Sequence, residues 1–271
     1  MHLIRCDSIE QLRDLALAYL IEREAEHGLL VGLLLGASTL RDTALAAVVV
    51  DGDHARAVAI RLDSRMIVSR VENSKALDLL ATAVADDDAT NMVAGSPETV
   101  EAIRARAQRA VTFTMAQRVY AIQAMQPRER MPDAHRRRAE LRDRETLIDG
   151  HLELHASLGA SESRDGAGVA MDRLIASGNL FVWETARGDV VCTAGTAGPT
   201  TNGIRLNYVY TPSEQRSHGY ASALVGDLTQ SLLDGGRSFV FLHADVANPT
   251  ACRLYERLGF KRVADFTMIR F

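Results

Sequence analysis

Apolar residues along this chain recur every third or fourth position in some stretches and every second position in others. The alternation of the two periods predicts helices interleaved with strands. Ser8-Ile-Glu-Gln11 has capping-box spacing, and Leu12, Leu15, Ala16, Tyr19 and Leu20 follow at helical period. Residues 29–35 read as a second helix. Residues 44–50, an Asp51-Gly-Asp turn and residues 55–62 read as a hairpin of half-buried strands. A helix over 76–85 ends at the acidic run Asp86-Asp-Asp88, and a short strand over 92–95 follows. Ser96-Pro97 caps a helix with Val100, Ile103, Ala107 and Ala110 on one face, and 113–122 returns as a strand.

The second half repeats the order. Residues 127–138, with Pro127, Pro132 and the basic run Arg136-Arg-Arg138, read as a linker between a unit over 1–126 and another over 139–271. The first strand of that second unit is expected over 138–142. Helices are expected over 146–158 and 167–177, and strands over 180–186, 190–195, 203–211 and 238–246. Past Gly219, Ala221, Leu224, Val225, Leu228 and Leu232 keep helical spacing. Asn248-Pro249 opens a last helix that Gly259 stops, and 261–271 is expected to close the sheet of the second unit. The fold class is α/β (α+β mixed): a mixed sheet with helices on both faces.

Composition narrows the function classes. With 47% apolar and 24% charged residues the chain is that of an ordinary soluble domain, and a net charge of −4 argues against a nucleic-acid partner. The apolar run 29–37 is too short to span a bilayer, and the first residues lack the apolar core of a signal peptide. Cys6, Cys192 and Cys252 have neither disulfide-framework nor metal spacing, so a reducing, cytoplasmic setting is expected.

The chemistry concentrates in 209–225. A strand ends at Pro212, and a helix begins near Gly219, with Arg216, Gly219 and Ala221 spaced Arg-x-x-Gly-x-Ala. Small residues at a helix mouth let an anion approach N–H groups that have no intrahelical acceptor, and a flanking Arg adds charge. Downstream stands Asn248-Pro-Thr-Ala-Cys-Arg-Leu-Tyr-Glu-Arg-Leu-Gly-Phe260. This pair of motifs resembles the GCN5-related N-acetyltransferase (GNAT) superfamily over about 137–271. A departure is Ser217, where the family often has Gly, although the backbone N–H remains. The resemblance implies that acetyl-CoA meets Val209, Tyr210, Thr211, Gln215, Arg216, Ser217, His218, Gly219, Tyr220, Ala221 and Ser222, with Asn248 near the pantetheine. His218 and Tyr220 occupy variable positions, so their side chains are expected to be spectators. The first half resembles a degenerate GNAT-like unit in its order of elements but has no Arg-x-x-Gly-x-Gly/Ala, so it is expected to bind no CoA.

The resemblance also places Tyr255 near the sulfur. A phenol with a pKa of about 10 stays protonated near neutrality and can donate to a departing thiolate. The competing reading is an amphipathic core tyrosine. Asn248 would cap its helix whether or not it touches a cofactor. The base is not fixed by the sequence: Glu184, Asn207, Tyr208, His243 and Asp245 are all open. His151-Leu-Glu-Leu-His155 puts two imidazoles one turn apart, but no third ligand is evident, so helix packing or acceptor contact is expected and no metal.

The expected function is therefore direct transfer of an acetyl group from acetyl-CoA to a small amine. A protein or peptide acceptor and a non-catalytic acyl-CoA-binding module are the alternatives. A closed pocket walled by the first half would favour the small molecule, and a wide acidic groove the protein. Membrane partners are not expected, and a homo-oligomer is left open.

Overall fold

The protein is described here by a computed structural model over residues 1–36, 45–126, 134–157 and 161–271. The first half runs β1 His2–Arg5, α1 Ile9–Ile21, α2 Gly28–Gly36, β2 Ala46–Asp51, β3 His54–Leu62, β4 Arg65–Val68, α3 Ser74–Ala85, β5 Met92–Gly95, α4 Pro97–Arg106 and β6 Phe113–Ile122. The second runs β7 Ala134–Arg138, α5 Arg144–Ser157, α6 Arg164–Ala176, β8 Leu180–Thr185, β9 Val190–Ala197, β10 Gly203–Tyr210, α7 Tyr220–Asp234, β11 Phe239–Asp245, α8 Pro249–Arg257 and β12 Lys261–Arg270. No described helix is long and apolar enough to cross a membrane.

Helix starts follow local chemistry. Ser8, Asn73, Ser96, Ser163 and Asn248 each accept a hydrogen bond from a backbone N–H in the first turn of their helix. The strands then sort their side chains by period two. In β2, Val48 and Val50 face α1 and α2, while Val49 faces α3. The second half has the same sandwich. Leu180 and Val182 pack under α5 and α6, and Leu206, Val240, Leu242 and Ala244 pack under α7 and α8.

All the strands form a single 12-stranded sheet in the order β1-β2-β3-β4-β5-β12-β6-β11-β10-β9-β8-β7. The halves exchange their last strands. β12 inserts between β5 and β6, pairing antiparallel with both. β6 pairs antiparallel with β11 of the second half, from Val240↔Ile122 to Asp245↔Gln117. Thus β12 does not close the second half's sheet, as the chain order suggested, but lies near the middle of the common one. Both exchanged strands are ten residues long and carry a neighbour on each side, so neither half leaves an open edge at the junction.

Two further expectations change. Residues 134–138, read as linker, are strand β7, antiparallel to β8; the rest of that stretch, 127–133, lies outside the described residues. The expected strand over 138–142 is replaced by a short turn of helix at Leu141–Asp143. Arg137 explains the shift. Its guanidinium reaches Asp143 at 2.6 and 2.8 Å and Glu184 at 2.7 Å, which pins the basic segment to the sheet.

The first half also covers part of the second half's sheet. A Cβ at Gly28 of α2 would collide with the Phe241 ring, and one at Gly32 would lie 2.9 Å from Gly198 Cα. These glycines let α2 lie close against β11 and the turn after β9. Glu24 fixes the approach, accepting from the Asn202 backbone N–H at 2.6 Å and its side-chain amide at 2.7 Å.

Candidate active site

The site grows out of a divergence in the sheet. β10 and β11 pair in parallel only at Gly203↔Phe239, Ile204↔Val240 and Arg205↔Phe241. Beyond that point they have no ladder pairing, and a wedge opens between Asn207–Tyr210 and His243–Asp245. On its other edge β10 is bulged, with register shifting between Asn207 and Tyr210 against β9. Tyr208 sits in the bulge with a φ of 55°, a left-handed backbone costly for a bulky residue. The bulge re-aims Tyr208 onto α5 and α6. Tyr210 lies against α5, where Gly150 leaves room for its ring, and its hydroxyl donates to Glu153.

The chain leaves β10 at Thr211 and turns through 213–215 into α7. Gln215 N–H bonds back to the Pro212 carbonyl, and Arg216 Nε donates to the Thr211 carbonyl at 3.1 Å. Ser217 and Gly219 both have left-handed φ, 66° and 83°. The first helical bond of α7 runs from Ala223 N–H to the Gly219 carbonyl. The N–H groups of Gly219, Tyr220 and Ala221 therefore have no intrahelical acceptor, and no side chain caps this helix start. Its first turn carries no acidic side chain, and its N-terminal dipole faces the mouth of the wedge. His218 and Tyr220 stack on each other, ring centroids 5.6 Å apart. Ser222 follows in the first turn, and Val209 lies on the wedge side of the strand, packed at the margin of the second half's core.

On the other bank of the wedge, Asn248 caps α8, accepting from Ala251 N–H at 3.0 Å. Capping uses its carbonyl oxygen and leaves its amide N–H groups to other partners. Tyr255 is buried two turns on. Burial, reinforced by the thiols of Cys192 and Cys252, pushes its phenol well above the ordinary tyrosine range. Cys192 in turn accepts from Thr211 Oγ1 at 3.2 Å, which ties the surroundings of Tyr255 to the end of β10. The structure so gathers the strand end, the turn, the α7 start, Asn248 and Tyr255 about the wedge.

Nothing in the local residue pattern singles out Tyr120. It arrives on the exchanged strand β6, its ring centroid 6.2 Å from that of Tyr255, and its hydroxyl donates to Glu256 at 2.8 Å. The base candidates also separate. Glu184 is bound by Arg137 and lies near Arg142 and His135, so its carboxyl is held below the usual range and is engaged in structure. Asp245 accepts from Ala247 N–H in a turn. Among the described residues neither ring nitrogen of His243 has a hydrogen-bond partner, and burial, with Arg205 nearby, lowers its pKa to about 3. It is a neutral imidazole.

The overall arrangement has counterparts among solved structures. The chain has the fold of the GCN5-related N-acetyltransferases. A GCN5-related N-acetyltransferase from Sphaerobacter thermophilus superposes with a TM-score of 0.67 at 17% identity, covering 99% of this chain and 95% of that one. A GNAT-family acetyltransferase from Colwellia psychrerythraea gives 0.63 at 12% identity over 100% of both chains. A tandem GNAT protein from the clavulanic acid biosynthesis pathway gives 0.58 at 12% identity, covering 99% and 97%. In sequence, the family model for FR47-like protein matches residues 200–269, which hold β10, α7, β11, α8 and nearly all of β12. No curated protein matches the chain. The GNAT likeness spans both halves in structure, whereas the sequence match is confined to the second.

Proposed function

We propose that the chain is an acetyl-CoA-dependent N-acetyltransferase acting directly on a small amine. The observation that carries this reading is the uncapped start of α7 at the mouth of the β10–β11 wedge. Its free N–H groups suit a pyrophosphate, with Arg216 adding charge. The thioester then runs along Asn207–Tyr210 into the wedge, and Asn248 and Tyr255 border it from α8. The amine nitrogen attacks the thioester carbonyl, the new C–N bond forms, and the C–S bond breaks. Tyr255 gives its proton to the thiolate, the ammonium proton leaves to water, and the phenolate regains a proton from water before the next turnover.

Direct transfer is favoured over a covalent acyl-enzyme. Burial pushes Cys192 to about 11, so little thiolate forms at neutral pH, and the buried Cys252 thiol is turned to the Asp245 carbonyl. We place acyl-CoA binding in the unit from 139 onward, and the unit over 1–126 supplies a wall and one strand. Three buried free cysteines suit a reducing, cytoplasmic setting.

The small acceptor is supported by α2, whose Gly28 and Gly32 bring it down on the acceptor face of β11. Arg205, on that same face, is half-buried and has no hydrogen-bond or ion-pair partner among the described residues, and burial lowers its pKa. An unpaired guanidinium beside an unpaired imidazole favours an acceptor that carries a carboxylate. A panel of amines scored by CoA release tests the activity, with amino carboxylates expected ahead of their decarboxylated counterparts. A preference for peptide amines, or no release with any amine, would overturn the reading. Arg205→Met should raise the acceptor KM about 10- to 100-fold, the worth of a charged hydrogen bond. The KM for acetyl-CoA should not move, and the variant should be no less stable. An unchanged acceptor KM would remove the carboxylate from the assignment.

A further inference from the structure

Outside the wedge, one cluster of donors has no place in the transfer step. His151 and His155 lie one turn apart on α5 with their rings stacked, centroids 4.0 Å apart. Glu162, seven residues beyond His155 and just ahead of α6, folds back to both. Its Oε2 is 2.7 Å from His151 Nε2 and 3.1 Å from His155 Nδ1. One ligand atom from each residue falls within 4.8 Å of the other two. Gly166 leaves room for the other carboxylate oxygen, since a Cβ there would lie 3.1 Å from Glu162 Oε1.

We propose that His151, His155 and Glu162 form a three-ligand site for a divalent transition metal, zinc in the first place. Two imidazoles and a carboxylate are a borderline donor set suited to zinc, and three protein ligands leave a fourth position for water or another small ligand. Zinc–ligand bonds of about 2.0–2.1 Å put the donors of a tetrahedron about 3.3 Å apart. The carboxylate stands 2.7 Å from His151 and 3.1 Å from His155, so it would have to draw back by about half an ångström from the first and less from the second. His151 is buried and has its other ring nitrogen, Nδ1, hydrogen-bonded to the Tyr208 hydroxyl. With the metal on Nε2, Nδ1–H donates to the phenol oxygen. That outer contact fixes the tautomer and the ring orientation, as partners of metal-bound histidines do.

Tyr208 thus has two neighbours of different kinds: the bulge of β10 that holds it and the metal ligand it orients. The metal would join the segment before α6 to α5 and sit one phenol away from the wedge. The proposal does not depend on the transferase reading, because it concerns binding alone.

The test uses tag-free, full-length protein stripped with a chelator and titrated with zinc against a chromophoric competitor. One zinc per chain is expected, with a rise in Tm. Cobalt(II) at the same site should give the intense visible absorption of four-coordinate cobalt. His155→Ala and Glu162→Gln, both at partly exposed positions, should bind at least about 100-fold more weakly, above the effect of an outer-shell partner. Tyr208→Phe should keep the cobalt spectrum and lose about 10- to 100-fold in affinity. Failure to compete for zinc, a six-coordinate cobalt spectrum, or affinity unchanged in both His155→Ala and Glu162→Gln would overturn the site. The cluster would then be a hydrogen-bonded triad only.

Discussion

Replacing Gly219 by glutamate is expected to remove acetyl-CoA binding while leaving the rest of the protein folded. Two effects act together at this residue. Its backbone is left-handed, with φ of 83°, so any side chain costs about 1–2 kcal/mol there. The new carboxylate would also point at the space where the pyrophosphate meets the α7 N–H groups. A like-charge pair at about 4 Å costs about 4 kcal/mol at an effective dielectric of 20. Since 1.4 kcal/mol is tenfold in affinity, the charge alone predicts roughly a thousandfold loss. Calorimetry with acetyl-CoA on the variant and parent measures it. Gly219→Asn serves as control, because Asn tolerates the left-handed region and brings no charge, so it should weaken binding far less. Equal affinity for the Glu variant and the parent would show that the pyrophosphate lies elsewhere. A thermal shift in the Asn variant matching that of the Glu variant would confine the stability effect to strain.

The residues around Gly219 were legible because their information is local. Helix starts are written in one or two residues, and Asn248-Pro249 and Ser96-Pro97 cap their helices as their chemistry dictates. The hairpin turn at Asp51-Gly-Asp53 is equally local, but its strands are not half-buried as expected: β2 is buried on both faces from Ala46 to Val50. Strands β1 and β4 were missed for a related reason: each has only four residues, too few for a period to stand out. The exchange of β6 and β12 could not be read at all. Each is recognisable as a strand, but choosing its neighbours requires contacts across more than a hundred residues of chain, such as Arg118 with Ala244 on one side and with Asp265 on the other. That single topological fact brings Tyr120 beside Tyr255. Arg205 and His243 were hidden differently. A charged residue and an imidazole in a strand ordinarily face water, but here both are half-buried, His243 with its ring edge-on to Phe241 and Phe266. Glu162 became a partner of His151 and His155 because the chain turns back after α5, a step that helical spacing does not encode.

The exchanged strands bear on how the two halves work together. β6 stands directly beside β11, which forms one bank of the wedge, and α2 rests on the Phe241 ring. Any movement of the first half therefore reaches the wedge through a shared ladder as well as through side-chain contacts. Glu24 strengthens the link at the far end of β10, where backbone N–H groups and the Asn202 amide hold its carboxyl below the ordinary range even though burial acts the other way. β11, on which α2 rests, and β6, which carries Tyr120 against Tyr255, are thus neighbours in one continuous sheet.

Tyr255→Phe is expected to slow chemistry and spare binding. The ring packs against Tyr120 and Phe260, with centroid separations of 6.2 and 5.9 Å, and phenylalanine keeps both contacts. Only the hydroxyl is lost. Its phenol is pushed upward by burial first and by Cys192 and Cys252 after that, so the group stays protonated through the neutral range and remains a donor. Removing a positioned general acid costs about 10²–10⁴-fold in rate, and the loss should appear in kcat while the KM for acetyl-CoA stays near that of the parent. Thiolate departure is the step served, so an acyl donor whose leaving thiol is more acidic should narrow the gap between variant and parent. Steady-state rates with the best amine from the panel, measured for both donors, provide the comparison. A variant within about threefold of the parent, well short of the range for a general acid, would make Tyr255 a core residue and leave the proton to water.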